Sequence, residues 1–151
     1  MNLKPTLILL AAAFLVLAAS CTGQPLEIRT LHLGPATFTT EIVNTPETRE
    51  HGLMGRKDLT DKNAMLFVFP DEQTRIFWMK DTPTPLSIAY ISKAGVVKEI
   101  LDMEAFSLAP VPSRHSVMYA LEVVQGAFGR LGVKVGDQVP PEDLRGLSAS
   151  R

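Results

Sequence analysis

Short apolar runs broken by proline and glycine constrain this chain more than any other feature of its sequence. Leu26, Ile28 and Thr30 alternate with Glu27 and Arg29, and Leu31 and Leu33 continue on the other parity, which predicts a strand with a bulge. Gly34-Pro35 reads as a turn, and Phe38, Thr40 and Ile42 alternate in a second strand. Met65 to Phe69 is a continuous apolar run that predicts a buried strand ended by Pro70, and residues 71–74 read as a turn. Strands are also predicted over 75–80, 86–90, 96–103, 117–123 and 133–139. The prolines of Asp81-Thr82-Pro83-Thr84-Pro85 make a stiff connection, Lys93-Ala94-Gly95 a hairpin loop, and 104–115 a longer loop.

One segment departs from this pattern. Thr45-Pro46-Glu47 combines a hydroxyl cap, proline at the first helical position and a carboxylate in the first turn, which predicts a helix ending near Gly55. A short helical turn is expected around 125–132. Many short strands with one clear helix predict a mainly β domain, a compact jelly-roll-like sandwich or barrel with one short helix near residues 46–54.

The first twenty residues follow other rules. Leu7 to Ala19 are 13 consecutive apolar residues, and Lys4 is the only charge before residue 21. A membrane-spanning helix needs about 20 apolar residues, so the run has signal-peptide length. Ala18, Ala19 and Ser20 set small side chains before Cys21, which predicts a lipoprotein signal in which that thiol takes a diacylglycerol. Cys21 is the one cysteine of the chain, so intramolecular disulfides are excluded. An ordinary signal peptide would instead leave a free thiol in an oxidising compartment, an exposed liability. Several acyl chains on one cysteine would anchor the domain stably. The expected division is a signal over 1–20, a spacer over 21–25, a β domain over 26–140 and a flexible tail over 141–151. The expected location is the cell envelope, on a periplasmic or outer-membrane face or the outside of a plasma membrane. Thr22, in place of Asp after the cysteine, permits sorting to an outer membrane.

Charge narrows the partners. Without residues 1–20 the chain keeps 131 of 151 residues, with 14 basic and 16 acidic side chains. No basic surplus exists for a nucleic-acid footprint, so no nucleic acid is expected, and a domain of this size buries a core without staples. A monomer is expected.

His51-Gly52-Leu53-Met54-Gly55-Arg56 resembles the G-L-M-x-R signature of the DUF192 family, prokaryotic domains of unknown function. Ala64 to Pro70, Phe77-Trp78-Met79-Lys80-Asp81-Thr82, Pro85 to Ala89, Ala120-Leu121-Glu122-Val123 with Gly126, and Gly136-Asp137 follow the family's order. The resemblance spans roughly residues 26–140. It implies a compact β sandwich of jelly-roll type and no particular reaction. Two positions depart from it: Asp81 stands where the family usually has Asn, and Ala64 where it usually has Gly. An ionised Asp81 cannot donate the hydrogen bond an amide would.

Catalytic signatures are few. His32, His51 and His115 have no ligand spacing, there is no paired cysteine and no G-x-S-x-G elbow, and Gly126, Gly129 and Gly132 are spaced as turn glycines rather than a phosphate loop. Met54, Met65, Met79 and Met103 would suit a cuprous ion, but three of them lie inside strong hydrophobic runs, where Met is a core filler. No metal and no cofactor is expected. The polar residues set within apolar blocks are Arg56, Trp78, Lys80, Asp81 and Glu122. Arg56 is either a helix-end cation or a fork for a carboxylate or phosphate. Trp78 is either core or an aromatic platform beside Lys80 and Asp81. Glu122 is read first as half of a structural ion pair, second as solvated, third as ligand-binding.

Two functions follow as expectations. In the first, an envelope-anchored, non-enzymatic module holds a small polar or anionic ligand, a peptide or an envelope protein on a patch of Arg56, Trp78, Lys80, Asp81 and Glu122. In the second, an envelope hydrolase uses Glu122, Asp102 or Glu104 as general base. A third possibility is a scaffold for other envelope proteins, which a large exposed apolar patch would favour.

Overall fold

The computed structural model describes residues 25–150; the signal segment, Cys21 and most of the spacer lie outside the described residues. The chain is mainly β. Its order is β1 (Glu27–Leu33), β2 (Ala36–Val43), α1 (Pro46–His51), β3 (Asn63–Gln73), β4 (Ile76–Phe77), β5 (Leu86–Ile91), β6 (Val97–Met103), β7 (Val111–Pro112), β8 (Val117–Val124), α2 (Ala127–Arg130) and α3 (Pro141–Leu144). Six strands form one open sheet in the order β1-β2-β3-β8-β5-β6, and β4 pairs with β7 in a separate two-stranded piece. The sheet is not a closed barrel. Only β2 and β3 run parallel, which is why the chain between them must cross over through α1 and a loop.

Alternation sends side chains to two cores. Leu31, Phe38, Leu66, Ala89, Tyr119, Leu121 and Val123 point to one face, which Phe128, Val133 and Val139 cover. Met65, Phe67, Leu86, Ile88, Tyr90 and Ala120 point to the other, covered by Leu53 after α1 and by Met79. Central strands β3, β5 and β8 are therefore covered on both faces, which explains why Met65–Phe69 reads as an unbroken apolar run.

Thr45 caps α1 as its sequence predicts. Its hydroxyl accepts from the Thr48 backbone N–H, the Thr48 hydroxyl returns the bond to the Thr45 N–H, and Pro46 opens the first turn. Gly52 ends the helix at φ 47°, where a Cβ would come within 3.2 Å of the Phe67 ring.

Several boundaries differ from the sequence pattern. β1 pairs with β2 without a bulge from Glu27 opposite Ile42 to Leu33 opposite Ala36, which leaves Ile28 facing solvent. Pro70 does not end β3; it lies in the irregular stretch between Val68 and Gln73, where a missing N–H breaks no ladder bond. The strand expected over 75–80 is confined to Ile76–Phe77, because the chain turns away through Asp81 at φ 52°. The strand expected over 133–139 does not form. Gly136 takes φ 94°, the Asp137 carboxylate accepts from the Lys134 N–H at 2.9 Å, and one bridge, Val96 to Gln138, remains. Residues 141–150, expected to fray, instead carry α3 and return to the sheet. Asp143 accepts from the His32 backbone N–H at 2.7 Å, and the Ser150 N–H donates to the Asn44 carbonyl.

Candidate functional site: a cavity floored by Glu122

The turn after α1 and the segment from β4 to Thr82 stand apart over the second face of the sheet. Between them lies a cavity of about 230 Å³. Leu53, Phe67, Phe77, Met79 and Leu86 supply its apolar lining, Arg49, Glu50, His51 and Lys80 its charged or titratable rim, and Glu122 its one buried carboxyl. Phe77 holds the wall together, with its ring edge-on to Phe67 at 4.9 Å and to Phe69 at 6.2 Å.

Register puts Glu122 there. On β8 it shares the face of Ala120, and its cross-strand neighbours are Met65 on β3 and Ile88 on β5. Both are apolar, Glu122 is only 4 % exposed, and no hydrogen bond or ion pair reaches its carboxyl among the described residues. Burial alone pushes it up to about 8, so at neutral pH it keeps its proton. Neither of the first two expectations for Glu122 holds. It has no ion-pair partner, and it does not face solvent, because the face opposite Tyr119 and Leu121 is a second core. Tyr90, buried on β5, is raised by its own burial and then by Glu122 and Glu99; its hydroxyl donates to the Val111 carbonyl at 2.5 Å.

Aromatic faces near the mouth are occupied by the protein's own cations. Arg75 lies 4.2 Å and Arg49 5.5 Å from the Phe69 ring, and the Lys80 ammonium lies 5.4 Å from the Trp78 ring. Arg49 is also fixed by bonds to the carbonyls of Asn44, Val68 and Ser150. The Lys80 ammonium has no ion pair or hydrogen bond among the described residues.

Of the five residues singled out in the sequence, three line this cavity: Trp78, Lys80 and Glu122. Arg56 does not. Its guanidinium donates to both Glu41 carboxylate oxygens at 2.9 and 3.2 Å and to Asp58 at 3.4 Å, so the carboxylate it grips is the protein's own. Asp81 does not line the cavity either. It is exposed and left-handed, and its carbonyl accepts from the Gly55 N–H at 2.8 Å, joining the two sides of the mouth. Asp102 accepts from the Ser87 hydroxyl at 2.5 Å, and neither it nor Glu104 lines the cavity. Met65, Met79 and Met103 are buried in the second core, and no group of three or more His, Cys, Asp or Glu gathers among the described residues. Arg49 and His51 were not singled out; their signal was position, in the last turn of α1 just before Leu53-Met54.

Residues 29–141 match the family model DUF192, described as an uncharacterized ACR. Two solved structures resemble the chain. One, from Sinorhizobium meliloti and provisionally described as a transcription regulator, is 32% identical, with TM-score 0.73 over 77% of this chain and 95% of that one. The other, a protein of unknown function from Novosphingobium aromaticivorans, is 27% identical, with TM-score 0.74 over 79% of this chain and 89% of that one. No curated protein matches the chain.

Proposed function

The chain belongs to the DUF192 family, and from that premise we propose that it is a ligand-binding module of the cell envelope whose site is the Glu122 cavity. One observation carries this reading. A buried carboxyl without a partner destabilises a fold by about 1–3 kcal/mol, and here it is set at the floor of an apolar cavity with a rim rich in cations. An apolar pocket with a few converging polar groups is the common form of a small-molecule site. The family motifs fall on the same place: Leu53 and Met54, Phe77 to Lys80, and Glu122 all line it.

The test is a thermal-shift screen of small molecules on the wild-type chain and on Glu122→Leu. Ligands that stabilise the wild type and leave Glu122→Leu unmoved support the site. Ligands that stabilise both equally place binding elsewhere. Glu122 would also serve as the general base of an envelope hydrolase above neutral pH, since its carboxyl is pushed up to about 8 and ionises there; turnover of a screened compound, lost in Glu122→Gln, would replace the binding reading with that one.

Tethering is the second part of the proposal. The 13-residue apolar run, the small residues before Cys21 and the lone cysteine support lipidation there and a place on the envelope. No helix among the described residues is long and apolar enough to cross a membrane. Labelled palmitate should enter the expressed chain and be absent from Cys21→Ala; incorporation unchanged in that variant would overturn the anchor.

A further inference from the structure

We infer that the ligand of this cavity is a small carboxylate on an apolar body, which accepts a hydrogen bond from the Glu122 carboxyl and is drawn in by the cations of the rim. The inference rests on the binding reading above and specifies its chemistry.

Three observations point to an oxyanion. First, Glu122 lacks a partner, and its neighbours Met65 and Ile88 can supply none. A carboxyl that keeps its proton presents an O–H, and the group that completes an O–H is an acceptor. Second, the rim sets Arg49 and Lys80 against the single carboxylate of Glu50, with His51 beside them. Third, two aromatic rings of the lining already carry the protein's own cations, Phe69 those of Arg49 and Arg75, and Trp78 that of Lys80, so positive charge is gathered at the mouth. The ammonium of Lys80, with no ion pair or hydrogen bond of its own among the described residues, is the rim charge free to meet an anion. Leu53, Phe67, Met79 and Leu86 provide the surface for an apolar body.

Protonation gives the inference a sign. Glu122 titrates at about 8, and once ionised it repels a carboxylate. The titratable and charged groups around it are Tyr90 from β5, Arg49, Glu50 and His51 from α1, and Lys80 from the segment after β4. The contribution of Glu122 is read as the difference between wild type and Glu122→Gln.

The experiment uses three probes of similar shape, phenylacetate, phenethylamine and 2-phenylethanol, titrated into the full-length chain at pH 6.5 and pH 9. Phenylacetate should bind at least about tenfold tighter than the other two at pH 6.5. It should weaken about tenfold by pH 9, one unit above the Glu122 midpoint. Glu122→Gln keeps a donor, so it should retain binding and lose that part of the pH dependence. Glu122→Leu should lose binding, and Lys80→Met should weaken it several-fold. Tighter binding of the amine, or equal binding of the alcohol, overturns the carboxylate and leaves the cavity a binding site. If no probe binds at the cavity, the inference fails; if the ligand screen also finds nothing that stabilises the wild type and leaves Glu122→Leu unmoved, the binding reading fails with it.

Discussion

Met65 on β3 lies directly across from Glu122 on β8, so a thioether and not a charge faces the buried carboxyl. On the other side Ile88 of β5 does the same. The fold thus spends three central strands surrounding one ionisable group with apolar neighbours, and the nearest opening is the cavity.

The first consequence is a pH-dependent stability. Glu122 is raised from 4.5 to about 8 in the folded chain, so the folded state holds a proton that the unfolded state has lost. Its contribution is fully present below about 4.5 and is lost as pH rises through about 8. Each unit between the two midpoints is worth about 1.4 kcal/mol. Denaturant unfolding at pH 5 and pH 9 should therefore show wild type losing several kcal/mol relative to Glu122→Gln, which has no such proton. Parallel pH profiles for the two chains would contradict this.

Arg56 tests the boundary of the site. It clamps Glu41 from outside the cavity, and its guanidinium is held above its ordinary range chiefly by that hydrogen bond. The pair is partly exposed, with 34% and 25% of the two side chains accessible. Arg56→Ala should cost about 1 kcal/mol in urea unfolding and leave ligand binding at the cavity unchanged. A large loss of binding with normal stability would bring Arg56 into the site.

What could be read from the sequence, and what could not, divides along this line. Local signals were legible: the Thr45-Pro46 cap, the Lys93–Gly95 hairpin and the apolar register of β3 and β5 depend on near neighbours. Trp78, Lys80 and Glu122 stood out as polar or aromatic positions in apolar blocks, and all three line the cavity. Arg56 stood out equally and does not, because its partner Glu41 lies 15 residues away and no local pattern reveals the pairing. Glu122 reads from sequence as ion-paired or solvated before it reads as ligand-binding, because alternation on β8 cannot tell a solvent face from a second core; that depends on what Leu53 and Met79 cover. The missing strand at 133–139 is the same lesson at shorter range, since two valines in alternation lost to the Gly136 and Asp137 turn.

Asp81 occupies left-handed backbone, a conformation that Gly and Asn hold with less strain than most residues. Asp81→Asn should be neutral or slightly stabilising, and Asp81→Val should cost about 1–2 kcal/mol. Thermal melts of the two variants check this. Asp81→Val should also weaken ligand binding, because the Asp81 carbonyl holds Gly55 across the mouth.

Asp143 docks the C-terminal segment onto β1. Its carboxylate accepts from the His32 backbone N–H at 2.7 Å and lies 2.9 Å from His32 Nδ1. Asp143→Ala should speed hydrogen exchange at the His32 amide by about tenfold and leave the amides of β3 and β8 protected. Uniform acceleration across the sheet would mean that α3 supports the whole fold.

The carboxyl of Glu122 can be followed directly by carbon-13 NMR during a pH titration of the full-length chain, with and without phenylacetate. A midpoint near 8 that rises further when phenylacetate is bound is the expected result. A midpoint near the ordinary 4.5, unmoved by phenylacetate, would contradict the assignment of this cavity as the site.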